Sequence, residues 1–409
     1  MGFVVTAALV TRYPAVTQPV RDGILGGLLA FTGLYVVIVV WRGSLPTSLR
    51  WVLAWSGGLV VLYLTSALYS PTPNVGALRP TVQLLLVLAW VLFVYGTDRE
   101  KTSRFAAFVA VFSFLLAQGS LWAWAGFPHP FTEATVLSAS LIPKNSFGAF
   151  TAAALFFVLA VSGTRSVKVA QAIGVGLSLT LLWASGSRSP QLAVLVAAAV
   201  YVVWPLLVRS RTGYHAVFFC WLIAGGAFVY YYINLSKSDT MARVAVQEFT
   251  GQGLYSGREL LWPIAIKYIS ERPLLGWGAG LDEGEVLLDA ELGVAGTGSG
   301  TTNAHNLFLA VALKTGIIGL TLQLAMLYSI WLRFYSGRHD RTVRLAAASF
   351  MGICVHQLFE TSLINTNLSI GALFWAIIAI GMRNSVAPPT LYRARDWRQV
   401  LRGQVVANS

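Results

Sequence analysis

Apolar runs of about 17 to 22 residues follow one another along nearly the whole chain, separated mostly by polar connections of about 5 to 20 residues. Wound as a helix at about 1.5 Å per residue, each run crosses a hydrocarbon core of about 30 Å. Eleven spans are predicted, at residues 24–41, 51–69, 81–97, 105–125, 147–162, 167–184, 190–208, 214–233, 316–332, 344–360 and 367–382. A further run at 2–17 is short and carries Arg12. It is a twelfth span, an interfacial helix or an exported tail, and its lack of a basic start argues against a cleaved signal peptide. The expected fold class is an all-α integral membrane protein, a polytopic bundle of 11–12 transmembrane helices.

One interval breaks the rhythm. From Ile233 to Ala304 about 70 residues pass without a span, a length that in compact proteins goes with function. The chain is therefore expected to divide into N-terminal spans over 1–233, a large loop with helices over 234–304, C-terminal spans over 305–382 and a basic tail over 383–409. Within the loop, "YSGRELLWPIAIKYISERPLLGWGAG" (255–280) sets Leu260, Leu261, Ile264, Ala265, Tyr268 and Ile269 at helical spacing. This predicts a helix from about Gly257 to Ser270, with Ser256 as N-cap, stopped before Pro273.

Composition agrees with the pattern: 56% of residues are apolar and only 11% charged, against roughly 25% charged in soluble domains. The net charge of +13 would suit a nucleic-acid partner, but its distribution argues against one. Arg42, Arg50, Arg99, Lys101, Arg104, Arg165, Lys168, Arg209, Arg211, Arg333, Arg338, Arg341, Arg344 and the arginines of the tail fall in alternate connections. That is the positive-inside pattern, and it turns the large loop outward. The loop holds nine of the chain's 16 acidic residues. Cys220 and Cys354 each lie inside an apolar run, where packing accounts for them.

Candidate chemistry gathers at the outward ends of the spans. Arg258 falls in the first turn of the loop helix, where backbone N–H groups and the dipole favour an anion; alternatively it pairs with one of the loop acids. Arg188, in "ASGSRSPQL" (184–192), is flanked by Gly186, Ser187 and Ser189 and precedes Pro190. This is a compact oxyanion pocket or a tight turn with one interfacial arginine. His305 opens "HNLFLAVALKTGIIG", 11 positions before Gly316, so the two share a face if the helix is continuous. Lys314 interrupts this run, and a short helix at the interface, bent at Gly316, fits better than a straight span. In "PKNSFG" (143–148), Lys144 and Asn145 stand at the outer end of another span, as anchors or as a site. His356 and Glu360, four apart, are expected to share a helix face, as a structural pair or a site. The acidic run Asp282, Glu283, Glu285, Asp289 and Glu291 lacks EF-hand spacing and reads as a solvated face rather than a metal site.

The sequence resembles the O-antigen ligase family of bacterial envelope enzymes. That family's motif is a histidine, then Asn, Ser or Gln, nine residues, Gly, two residues, and Gly, Thr or Tyr. Here it reads His305, Asn306, Leu307 to Thr315, Gly316, Ile317, Ile318, Gly319. "SGRELLWPIA" at 256–265, "PLLGWGAG" at 273–280 and the "GSRSP" turn also look like family features. The resemblance implies a GT-C-like, metal-independent glycosyltransferase of the bacterial inner membrane, without a cofactor, whose large loop and active site face the periplasm. Its donor would be O-antigen on undecaprenyl diphosphate and its acceptor a sugar hydroxyl of lipid A-core. The family's catalytic histidine maps to His305 and its two diphosphate-binding arginines to Arg188 and Arg258. Asn306, Lys144, Asn145 and Arg79 complete the expected substrate-binding set. Competing expectations are an O-antigen polymerase, an O-linked oligosaccharyltransferase using the same donor, or a non-enzymatic polysaccharide flippase. The chain has one large outward loop where polymerases show two, and its span centres are apolar where a transporter would place polar groups.

Overall fold

The computed structural model describes residues 47–70, 144–161, 164–238, 258–280, 304–364 and 368–385, with isolated helical residues at 27, 30, 33, 34, 81 and 84. The expected spans at 2–17 and 105–125, most of those at 24–41 and 81–97, and nearly all of the tail lie outside the described residues.

Every regular element among them is helical: α1 (Thr47–Ser66), α2 (Lys144–Ala160), α3 (Arg165–Ala184), α4 (Arg188–Leu207), α5 (Arg211–Ser238), α6 (Arg258–Glu271), α7 (Leu307–Ser336), α8 (Arg341–His356) and α9 (Leu368–Ser385). A single 3₁₀ turn, Ala67–Tyr69, extends α1. Five stretches are long and apolar enough to cross a membrane: Leu49–Tyr69, Arg165–Ala184, Arg188–Leu207, Arg211–Tyr231 and Leu307–Ser336. The protein is a multi-pass helical membrane protein.

Hydrophobicity cannot hold such helices together, because lipid is as apolar as leucine; close approach and dispersion must. α4 and α8 meet through small residues. A side chain on Gly352 would collide with the Ala193 carbonyl and press on Ala197. Around α7, Leu327, Ile330, Trp331 and Phe334 are fully enclosed, with Tyr63 of α1, Tyr214 and Phe218 of α5, Phe350 of α8 and Trp375 of α9 in the same core. Cys354 packs in this core, whereas Cys220 lies exposed on α5; neither forms a disulfide.

α7 is bent where expected. Gly316 has φ 65° and ψ −165°, a conformation essentially restricted to glycine. The bend severs two helical bonds, those that the Ile317 and Ile318 N–H groups would make to the Leu313 and Lys314 carbonyls. All four orphaned groups find partners in the segment after α6. Trp277 and Gly278 donate to the Leu313 and Lys314 carbonyls, each at 2.9 Å, while Ile317 donates to Pro273 O at 2.8 Å and Ile318 to Leu274 O at 3.5 Å. The insert is pinned to α1 as well: Tyr69 Oη donates to Leu275 O (2.8 Å) and the Ala279 N–H to Ser66 Oγ (2.9 Å). Leu307, Ala310 to Gly316 and even Lys314 are thereby buried. The short helix expected before the bend is present, and loop residues 273–280 and α6 cover it.

Candidate functional site

α2 begins at Lys144, α3 ends at Ala184, α4 begins at Arg188, α7 begins at Leu307 and α8 ends at His356. Hydrogen bonds tie these termini together, so they form one end of the bundle. The opposite end carries Arg338, Arg341 and Arg344, bonded or stacked against Tyr335, Leu159 and Tyr201. Those candidate residues whose backbone is described therefore collect at the end away from this basic belt.

His305 is fixed from both sides. Before it, the Ala304 carbonyl accepts from Trp262 Nε1 at 2.9 Å, and Trp262, a fully buried residue of α6, also meets Phe228 of α5 edge-on. After it, Asn306 is the N-cap of α7: its Oδ1 accepts from the Phe308 and Leu309 N–H groups at 2.9 and 3.1 Å. Its Nδ2 donates to Leu358 O at 3.0 Å, and the Leu307 N–H donates to Gln357 O at 2.9 Å. Asn306 is fully buried. Its amide serves the helix start and the turn after α8, which fixes the backbone on either side of the imidazole it was expected to orient. Between these anchors His305 adopts φ 48°. A β-carbon-bearing residue held in the left-handed region costs about 1–3 kcal/mol, and such strain concentrates at functional sites.

The imidazole faces a carboxylate. His305 Nδ1 lies 3.4 Å from Glu360 Oε2, with side chains 26% and 14% exposed. Glu360 Oε1 accepts from Asn145 Nδ2 at 3.1 Å, and Asn145 Oδ1 accepts from Ser187 Oγ at 3.1 Å. Ser187 is the N-cap of α4, yet its hydroxyl makes no capping bond to that helix. The Ser187 N–H donates to Ser185 Oγ at 3.2 Å, and Gly186 takes φ 59°. α2 presses on this turn at Gly148, where a methyl group would sit 2.9 Å from Ser187 Cβ and 3.0 Å from Ser185 Oγ. The "PKNSFG" and "GSRSP" stretches are thus one packed unit.

Arg188 is the first residue of α4 and Arg258 the first residue of α6. The loop helix, expected at about 257–270, runs from Arg258 to Glu271. Arg188 is exposed at the end of the bundle and adjoins Ser187 in the polar chain. The Arg258 backbone is carried by the helix whose Trp262 holds Ala304; its side chain, like that of Lys144, lies outside the described residues. So do Arg79, Ser256 and the acidic run at 282–291.

The shared face that a continuous helix would give His305 and Gly316 does not arise, because α7 begins at Leu307 and breaks at Gly316, where the bend was expected. One sequence expectation is corrected. His356 and Glu360 do not share a helix face, since α8 ends at His356 and the chain turns, with Phe359 N–H closing on His356 O at 3.0 Å. His356 is buried beside Ser362 and Phe374, while Glu360 is turned to His305. Glu360 is the residue whose contacts sequence spacing misassigned; its isolation as an acid among apolar residues was the available signal.

Residues 173–324 match the family model described as O-antigen ligase. In that stretch the chain is similar to O-antigen ligases. No curated protein matches it. The matched stretch contains Arg188, Arg258, His305, Asn306, Gly316 and Gly319. Asn145 lies before its first matched residue and Glu360 beyond its last, so the polar chain joins this stretch to its flanks. Over this stretch the membrane-embedded chain is similar to the O-antigen ligase and polymerase enzymes.

Proposed function

We propose that this protein is an O-antigen ligase of the bacterial inner membrane, with its site facing the periplasm. It transfers glycan from undecaprenyl diphosphate to a sugar hydroxyl of lipid A-core. The observation that carries the reading is the continuous polar chain from His305 through Glu360 and Asn145 to Ser187, the residue before Arg188. It links a partly exposed imidazole to a turn that presents a guanidinium.

The reaction follows from these groups. The His305 imidazole accepts the acceptor hydroxyl's proton as its oxygen bonds to C1 of the donor sugar. The bond from C1 to the diphosphate oxygen breaks, its electron pair leaves with the lipid diphosphate, and C1 inverts. Arg188 and Arg258, each opening a helix, stabilise the charge that grows on the leaving group, an interaction stronger in the transition state than before it. Two fixed cations serve in place of a metal. The donor's prenyl chain needs an apolar path, and one is at hand: a cavity of about 280 Å³ between α2, α4, α8 and α9 includes Pro190 and His356 in its lining, beside this turn.

Purified protein in lipid, given undecaprenyl-diphosphate-linked glycan and lipid A-core, is expected to yield glycan joined to lipid A-core. Longer lipid-linked glycan without acceptor capping would make it a polymerase. Glycan reaching neither acceptor would remove the transferase reading.

A further inference from the structure

Glu360 stands outside the matched domain and closes the gap between two of its parts. We propose that Glu360 is the positioning residue for His305, and that Asn145 and Ser187 couple it to the turn carrying Arg188. This rests on the assignment of His305 as general base.

The direction of each bond is dictated by chemistry. An ionised carboxylate only accepts hydrogen bonds, whereas an amide offers donors on nitrogen and an acceptor on oxygen. Asn145 must therefore turn its NH₂ to Glu360, which leaves its oxygen for the Ser187 hydroxyl, as found at 3.1 Å for both contacts. On the other side, Glu360 Oε2 requires the hydrogen of the neutral His305 ring on Nδ1, 3.4 Å away. Nε2 is then left with its lone pair, the form a base needs. When Nε2 takes the acceptor's proton, the resulting imidazolium has a counter-charge already in place. A 3.4 Å contact is long for a hydrogen bond, as contacts to catalytic bases often are before substrate binds.

The relay also explains an oddity of α4. A serine N-cap ordinarily bonds the first N–H groups of its helix, but the Ser187 hydroxyl is directed to Asn145 instead. The turn that presents Arg188 is thus held by the same chain that orients the base. Four segments converge: residues 145 and 360 are 215 apart in sequence, 305 and 360 are 55 apart, and 145 and 187 are 42 apart.

Glu360→Gln tests this with little change of shape. The glutamine amide would donate to His305 Nδ1 and move the ring hydrogen to Nε2, disabling the base. In reconstituted protein, kcat for glycan transfer is expected to fall by about 10²–10⁴, the range of a lost general base, with donor KM within about threefold of wild type. Glu360→Asp should recover part of kcat. Histidine ¹⁵N spectra, with the His305 signals assigned by their loss in His305→Ala, should show hydrogen on Nδ1 in wild type and on Nε2 in Glu360→Gln. Asn145→Ala, the milder variant, should lower kcat by about tenfold and raise donor KM, because the arginine turn is released with it.

Wild-type kcat and an unchanged His305 spectrum in Glu360→Gln would overturn the positioning role, and loss of transfer in His305→Ala would then leave the ligase reading standing. The expected tautomer change in a wild-type protein that transfers no glycan would instead sink the ligase reading and keep the Glu360–His305 coupling. If Glu360→Gln fails to fold, wild-type kinetics in Asn145→Ala overturn the proposal.

Discussion

The two ends of the bundle use polar groups in opposite ways. At the basic end, polar side chains finish mainly on main-chain carbonyls, with Tyr328 Oη and His215 Nδ1 meeting at 2.8 Å as an exception. Tyr214 Oη donates to Trp331 O (2.6 Å), Trp331 Nε1 to Tyr214 O (3.0 Å) and Trp204 Nε1 to Arg338 O (2.9 Å). The Arg344 guanidinium donates twice to Tyr201 O, at 2.6 and 2.9 Å, while lying over the Tyr201 ring. The aromatic rings of Tyr214 and Trp331 stack at 4.4 Å. Such contacts lock helix against helix. At the other end, Trp262 and Asn306 also bond main-chain carbonyls, but His305, Glu360, Asn145 and Ser187 meet one another, the histidine backbone is strained, and a guanidinium and an imidazole stand partly open. Side chains that end on the backbone build the frame, whereas side chains that end on other side chains leave one member available for chemistry.

That contrast yields ordered expectations. His305→Ala should reduce glycan transfer by about 10²–10⁴ while leaving thermal unfolding in detergent unchanged; normal transfer would erase the distinction between the ends. Arg188→Lys keeps charge but loses the planar fork. At about 1.5–3 kcal/mol for a hydrogen bond to a charged group, transfer should fall roughly 10- to 100-fold at saturating acceptor, and an unaltered rate would remove Arg188 from the site. Gly316→Ala should destabilise by at least about 1–3 kcal/mol from backbone strain alone. Its methyl group would also strike the Leu274 carbonyl, so unimpaired melting would disprove the inserted-loop account of the bend. Tyr214→Phe at the basic end should cost about 0.5–1.5 kcal/mol with transfer unaffected; an activity loss there would couple the two ends. Chelators should change nothing, and a strict cation requirement would send attention to the acidic run at 282–291.

The family motifs take on separate meanings once folded. In "HNLFLAVALKTGIIG" the histidine bears the proposed chemistry, Asn306 caps the helix and Gly316 makes the break. "PLLGWGAG" fills that break with its own backbone, and its glycines at 276 and 278, with φ 67° and 95°, permit the crossing. A substitution in this segment would therefore act on α7 through these backbone bonds.

Much of this was legible along the chain, because solvation and helical periodicity are local. Runs of apolar residues set where α1 to α5 and α7 to α9 lie, to within a few residues apart from the longer reach of α5 and α7. The "SGR" and "GSRSP" stretches announced helix starts at Arg258 and Arg188, and Gly316 announced the bend. Tertiary structure alone decided that Glu360 faces His305 and not His356, that Asn145 joins Glu360 to Ser187, and that Asn306 serves the backbone. Local spacing favoured a His356–Glu360 pair, four residues apart, until the helix stopped at His356. A helix end depends on neighbouring energetics within a turn or so, but the partner of a buried carboxylate depends on which remote segments pack beside it, and no periodicity encodes that.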